Sequence, residues 1–244
     1  MTVDPRMTVA EIAAAEPRAI PVFQKHGIDF CCGGKRPLEE VCAEKGLSFV
    51  ELGAEIEALE TTGAQDQPDW SRASFALLVR HILDRYHAGL RRDLPSLDLL
   101  LEKVLRAHGE THGESLQAMS STFKALREEL ESHLEKEERV LFPYLLELEE
   151  ACAGRRGAAS ISLGLASGVI GLMEREHGSA GLALVSLRRI SGDYVPPPDA
   201  CPSYRALYRG LAALEDDLHR HIHLENNVLF PRALVLESRL RAAG

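Results

Sequence analysis

Two segments of the chain repeat a pattern of residues that could hold metal. His133-Leu-Glu-Lys-Glu137-Glu-Arg-Val-Leu-Phe-Pro143 recurs as His221-Ile-His-Leu-Glu225-Asn-Asn-Val-Leu-Phe-Pro231, with six of eleven positions identical. In each copy His and Glu are four residues apart, which on an α-helix means about 40° of rotation and about 6 Å of rise, so both side chains reach one point. Two further histidines stand in helical segments of their own, in Asp84-Arg-Tyr-His87 and Glu174-Arg-Glu-His177. Four imidazoles and two carboxylates suit two transition-metal ions better than one, because carboxylates can bridge and a tetrahedral structural zinc needs only four ligands. Iron or manganese fits this donor set. If both carboxylates bridge, the protein fills about eight of about twelve positions on two six-coordinate ions, leaving about four for water, oxide, O₂ or NO.

A different ligand set stays open beside this one. Asp84 with His87 and Glu174 with His177, joined by Glu137 and Glu225, would give the carboxylate-rich arrangement of ferritin-like bundles, leaving His133 and His221 idle. His81, His108, His112, His219 and His223 read as surface or supporting histidines. The i,i+4 pair His108 and His112 lies about 30 Å along the helices from the candidate site at about 1.5 Å per residue. Glu129 precedes His133 by one turn and Asp217 precedes His221 by one turn, which places carboxylates either on a solvated face or beside metal-bound imidazoles.

The second chemical feature is a pair of adjacent thiols in Gly27-Ile-Asp-Phe-Cys31-Cys32-Gly-Gly34. A trans peptide holds neighbouring Cα atoms about 3.8 Å apart, below the usual disulfide range of about 4.4–6.8 Å, so exchange with another molecule, nitrosation or metal contact suits them better than a mutual bond. A purely structural tight turn is the alternative. Cys42, Cys152 and Cys201 have no partner spacing and read as packing or surface residues.

To bring six ligands together the chain needs four helices, and the periodicity supplies them over roughly 71–107, 114–151, 163–190 and 203–241. Loops near 109–113, 153–159 and Pro196-Pro197-Pro198 fall midway between successive ligand positions, as an up-down four-helix bundle with its ligands at one height requires. Pro95 is expected to kink or break the first helix. Residues 61–70, rich in turn formers, read as a linker between an N-terminal helical domain over 1–60 and the bundle over 71–244. In the first part Thr8 and Glu11 form a capping-box pattern, Pro17 to His26 reads as a helix stopped by Gly27, and two more helices are expected over Pro37–Lys45 and Ser48–Leu59. The thiol turn is expected to stand apart from the bundle's metal site.

The composition sets the outer limits. With 28 Lys plus Arg against 37 Asp plus Glu, the net charge of −9 excludes a general nucleic-acid binder. Aromatics at 5% suit helix packing, giving an all-α fold class. The longest weakly polar stretch, Ile161 to Met173, falls short of the about 20 apolar residues of a membrane span. The first twenty residues carry acids and lack a continuous apolar run, and five cysteines make an odd number, so a cytoplasmic chain without a disulfide framework is expected. A homodimer is the base-rate expectation for its assembly.

The paired His-x-x-x-Glu motifs with Leu-Phe-Pro tails resemble the hemerythrin-like HHE cation-binding domain. The preceding His26-Gly-Ile-Asp-Phe-Cys31-Cys32-Gly-Gly34 is similar to the N-terminal segment of the repair-of-iron-centres family, the YtfE/ScdA type. This resemblance implies a non-haem protein with two iron ions, carboxylate- or oxo-bridged, on His87, His133, Glu137, His177, His221 and Glu225. It implies repair of iron-sulfur clusters damaged by nitric oxide or oxidants, with damaged iron-sulfur proteins as partners and NO or O₂ as small ligands. It also implies that Glu129 and Glu176 line an acidic channel and that Cys31 and Cys32 are the reacting thiols. Reduction of NO or peroxide, and reversible O₂ or NO binding, are the alternative activities.

Overall fold

A computed structural model of the chain describes residues 4–59, 68–155 and 164–243. They form an all-α molecule, and among them the single β-type contact is an isolated bridge between Thr8 and Pro37. Residues 61–67 of the expected linker lie outside the described residues, as do residue 60 before it and the start of the weakly polar stretch at Ile161.

Four short helices make the N-terminal part: α1 (Val9–Ala15), α2 (Ala19–Lys25), α3 (Leu38–Lys45) and α4 (Phe49–Leu59). Thr8 caps α1 through the expected box, its hydroxyl accepting from Glu11 N while Glu11 accepts from Thr8 N. Gly27, at φ +60°, ends α2 as the sequence suggested, since L side chains rarely adopt that conformation. Their apolar faces enclose Val9, Ile12, Phe23, Phe30, Leu38 and Ile56, and Ile222 of the bundle completes the same cluster. The N-terminal part is therefore packed on the bundle.

The bundle's first arm runs through α5 (Phe75–His81), a π-helical turn (Ile82–His87) and the first half of α6 (Ala88–Lys136). Its second arm is the rest of α6, a π-turn (Glu137–Leu141) and α7 (Phe142–Cys152). The third is α8 (Leu165–Ile190), and the fourth joins α9 (Pro202–Leu224), a π-turn (Glu225–Leu229) and α10 (Phe230–Ala243). The chain reverses at His112, whose φ of −123° and ψ of 22° leave the helical region, and Asp98–Arg127 and Glu102–Lys124 ion pairs tie the two arms together.

The expected break at Pro95 does not occur; α6 continues through it. Leu90, Leu94, Leu97 and Leu101 bury their side chains on both sides of the proline, at about 1.5–3 kcal/mol each, which outweighs its cost of about 3 kcal/mol. Two further π-turns sit just before Phe142-Pro143 and Phe230-Pro231. A proline ring collides with the carbonyl four residues back in an α-helix, and the wider turn relieves that collision.

The bundle's apolar interior is divided. One cluster, including Leu101, Leu116, Met119, Phe123, Leu187 and Leu207, fills the half near the His112 reversal. Another, including Phe75, Leu78, Leu145, Met173, Leu229 and Phe230, fills the half toward the chain ends. A layer of buried polar residues lies between them.

Candidate metal centre

That layer consists of His87, His133, Glu137, His177, His221 and Glu225, all 3% exposed or less. Their donor atoms fall into two overlapping groups, His87, Glu137, His221 and Glu225 in one and His133, Glu137, His177 and Glu225 in the other, each with all its donors within 4.8 Å of one another. Each group has two imidazoles of its own, and both carboxylates belong to both groups. The structure thus brings together all six residues singled out in the sequence, four from the repeat and His87 and His177 from the other two arms.

The ligands occupy special places in the helices. His87 closes the first π-turn, and Glu137 and Glu225 open the other two. His177 lies in the regular α8. The His-to-Glu step in each repeat is therefore made at a junction between α- and π-helix, where the following residues are turned through an extra position.

All four imidazoles direct Nε2 into the layer. His87 and His133 Nε2 stand 3.4 Å from Glu137 Oε2, His177 Nε2 stands 3.2 Å from Glu225 Oε2, and His221 Nε2 stands 3.0 Å from Glu225 Oε1. His133 and His177 Nε2 are 3.0 Å apart. Donors at about 2.1 Å from one ion, held at right angles, are separated by about 3 Å, so these spacings suit coordination. His87 Nε2, both oxygens of Glu137 and Glu225 Oε2 are buried without a hydrogen-bond partner. Stranding such atoms costs several kcal/mol in aggregate, at about 1–3 kcal/mol for each, unless a cation takes them up. This donor set fits a pair of metal ions.

Electrostatics pair the buried carboxylates of the layer with its imidazoles. Burial alone would raise the Glu225 carboxyl, but the imidazoles of His221 and His177 outweigh it and keep Glu225 well below the usual carboxylate range. Burial would lower His133, yet Glu137, Glu225 and Glu176 together raise it to about 9.

Outside the layer, each imidazole is oriented by a neighbour. His87 Nδ1 donates to Glu138 Oε1 at 2.9 Å, and Arg91 holds the same carboxylate at 2.8 Å. His133 Nδ1 donates to Glu176 Oε2 at 2.9 Å, and Lys136 pairs with the other Glu176 oxygen. His177 Nδ1 donates to Asn226 Oδ1 at 2.8 Å. Tyr86 stacks on His221 with ring centroids 5.4 Å apart and planes 6° from parallel. Such partners fix ring orientation and tautomer and raise ligand basicity.

Sequence reasoning singled out Glu176 among these but passed over Glu138, Asn226 and Tyr86. Their signal was positional. Glu138 and Asn226 each follow the shared Glu of a repeat, while Tyr86 and Glu176 each precede a ligand His. Glu129 accepts from Ser179 Oγ at 3.0 Å and, with Glu128, Ser132, Lys136, Arg175 and Glu176, lines a polar cleft of about 450 Å³. A narrower cleft of about 270 Å³, with Tyr86, Leu90, Leu97 and Leu214 in its walls, reaches His221.

The two carboxylates that the ferritin-like alternative would add, Asp84 and Glu174, point elsewhere. Asp84 pairs with Arg80 and Glu174 with Lys35, both at the surface. His108 packs against Tyr204 and His112 bonds Asp199 at the far end, His81 stacks on Trp70, His219 meets Phe30, and His223 accepts from Asn227.

The thiol turn does not stand apart from this layer. The Cys32 thiol donates to the backbone carbonyl of His177 at 3.6 Å. Sequence spacing could not reveal this, because the contact joins residues 145 positions apart through tertiary packing. Asp29 organises the turn, accepting from Cys31 N, Cys32 N and Gly33 N at 2.8–3.0 Å. A Cβ on Gly34 would lie 2.7 Å from the Phe30 carbonyl oxygen, so only glycine closes the turn. The two thiols are free, with their sulfurs 3.6 Å apart. Hydrogen bonding to Cys32, together with burial, raises the Cys31 thiol well above its usual range, and the same bond lowers Cys32.

Comparison with known proteins agrees with this architecture. The profile described as the hemerythrin HHE cation binding domain matches residues 78–233, and the ScdA_N profile, described as a domain of unknown function, matches residues 5–60. The chain is 40% identical to the iron-sulfur cluster repair protein YtfE of Cronobacter sakazakii over 229 residues, covering 94% of this chain and 96% of that one. It is 39% identical to the proteins of the same name from Escherichia coli O157:H7, over 94% of this chain and 97% of that one, and from Yersinia pestis, over 93% and 96%. The chain belongs to the hemerythrin HHE family, in the branch that these YtfE proteins occupy.

Proposed function

We propose that this chain is a non-haem di-iron protein that repairs iron-sulfur clusters damaged by nitric oxide or oxidants, supplying iron or removing NO. The observation that carries the reading is the layer in which two buried carboxylates are shared between two pairs of inward-facing imidazoles. The names of the relatives support the repair role. His87, His133, Glu137, His177, His221 and Glu225 would hold the metal, and two iron ions bound there supply open coordination positions and exchangeable iron.

The chain's own residues do the rest. Glu138 and Glu176 orient His87 and His133, and Tyr86 braces His221. Glu129 and Glu176 line a polar route that would pass a cation, and the cleft past Leu90, Leu97 and Leu214, with Asp93 and Asp217 also in its walls, would admit a small molecule to His221. Cys31 and Cys32 are the reacting thiols, and the client is a damaged iron-sulfur protein. Residues 1–60 act as the thiol-bearing part, joined through 61–70 to the metal-bearing part over 71–244; the two matched profiles support that division. Among the described residues no helix is long and apolar enough to cross a membrane, which accords with clients reached in the cytoplasm.

The decisive experiment combines metal analysis and Mössbauer spectroscopy of the purified protein with reactivation of a nitrosylated [4Fe–4S] dehydratase. Near two coupled irons per chain together with reactivation is the expected result. One zinc per chain would overturn the centre. Steady NO consumption with a reductant but no reactivation would make the protein a reductase, and saturable NO binding alone would make it a gas-binding module.

A further inference from the structure

All four inward-facing histidines are braced by side chains of the bundle: His87 by Glu138, His133 by Glu176, His221 by Tyr86, and His177 by Asn226 and the stacked ring of Phe230. His177 differs. Its partner Asn226 is a neutral amide whose Oδ1 accepts from His177 Nδ1 at 2.8 Å, while its Nδ2 donates to the backbone carbonyl of Cys31 at 3.4 Å. The Cys32 thiol meets the backbone carbonyl of the same histidine at 3.6 Å, and the neighbouring Asn227 amide donates to the Phe30 carbonyl at 3.0 Å. The thiol turn thus holds His177 at both its ring and its main chain.

We propose that Asn226 is a positioning residue that couples the Cys31–Cys32 turn to His177, so that metal occupancy and access to the Cys32 thiol control one another. A hydrogen bond to a neutral amide is about half as strong as one to a carboxylate, so Asn226 orients the imidazole firmly only while its other edge is engaged. When the turn lifts, Nδ2 loses the Cys31 carbonyl, and the amide is free to rotate away from His177. An ion on His177 Nε2 fixes the ring, the ring fixes the amide, and the amide retains the turn over the layer. Linkage makes the effect reciprocal: whatever factor metal exerts on docking, docking exerts on metal affinity.

The inference rests on His177 being a metal ligand, and the test separates the two statements. Full-length wild type and Asn226→Asp are prepared metal-free and loaded anaerobically with iron(II), and their iron content is measured. Each sample is then treated with iodoacetamide, and modification of Cys32 is timed by peptide mass mapping. Loading is expected to slow Cys32 modification about tenfold in wild type, within the usual 5–150-fold range of coupling between sites. Asn226→Asp keeps an acceptor for His177 but turns an oxygen toward the Cys31 carbonyl. It should retain iron while the slowing falls below about twofold. Simple loosening of the turn would speed modification in metal-free and loaded protein alike and leave their ratio unchanged.

A wild-type thiol that ignores iron, or an undiminished ratio in Asn226→Asp, would overturn the coupling. Wild type that binds no iron would overturn the ligand assignment itself before any thiol is read. If Asn226→Asp does not fold, reciprocity decides the matter in wild type: protein alkylated at Cys32 should bind iron(II) more weakly by the same factor, and unchanged affinity would overturn the proposal.

Discussion

The reversal at His112 and the polar layer in the middle of the bundle carry similar side chains put to different uses. Near the His112 reversal, His108 and His112 have the i,i+4 spacing, Asp199 is at hand, and Cys201 opens α9 beside His108. In the polar layer, His133 with Glu137 and His221 with Glu225 have that spacing too. At the reversal the polar groups are satisfied and wet, since Asp199 is more than half exposed and bonds His112 at 3.0 Å. In the layer Glu137 and Glu225 are wholly buried and three of their four oxygens lack a hydrogen-bond partner. Spacing brings ligand types together; burial without partners gives them a demand that only a cation meets.

The largest expected effect tests this contrast directly. Glu137→Ala or Glu225→Ala removes a donor from both metal positions, so bound iron should fall from about two per chain to well below one, by analogy with the loss of any shared ligand. His108→Ala and His112→Ala should leave iron unchanged. Metal analysis of the four purified variants is the readout, and equal retention in all of them would refute the sharing of carboxylates.

A smaller loss is expected one step outward. Glu138→Gln and Glu176→Gln keep a neutral acceptor for His87 and His133 but remove the charge that makes each ring more basic. Metal affinity should drop by about 10–100-fold, measured by competition with a chelator. An unchanged affinity would mean that the layer needs no electrostatic support from outside.

The smallest effect belongs to the reversal end. The backbone N–H of Tyr204 and the nearby His108 hold the Cys201 thiol down to about 7, whereas burial pushes the Cys152 thiol up. Such a thiol is about half thiolate at neutral pH, so Cys201 alkylation should rise with a midpoint near pH 7 and level off above it, with Cys152 following only at alkaline pH. His108→Ala should move the Cys201 midpoint upward without changing iron content. Identical pH profiles for Cys152 and Cys201 would remove the special character of this end.

The six residues of the layer were legible because the repeat and the loop positions are local signals that point to one height in a bundle. The all-α class and the capping of α1 followed from similarly short-range patterns. What escaped was decided at longer range. Pro95 carries a strong local signal for a break, but the leucines around it pack well enough to override it, and the chain turns only at His112, within the loop expected near 109–113. The π-turns have no distinct composition, although the prolines at 143 and 231 give a physical reason for two of them. The closeness of Cys32 to His177 depends on how the N-terminal helices seat on Ile222, Asn226 and Asn227, which no periodicity encodes.

Each π-turn is a helix carrying one residue more than its α-helical path requires. The turn itself absorbs the extra residue, so the segments on either side keep the register that an unbroken α-helix would give them. Removing one residue between Glu137 and Pro143 would therefore leave Leu145 and Leu148 in the apolar cluster they fill and Leu130 and Leu134 in place before the ligands, but it would restore the collision of the Pro143 ring with the carbonyl four residues back. The same holds between Glu225 and Pro231 for Ala233. A single-residue deletion in either stretch, paired with replacement of its proline, is compatible with the fold, whereas one in the regular helix beside it turns every following residue by about 100°.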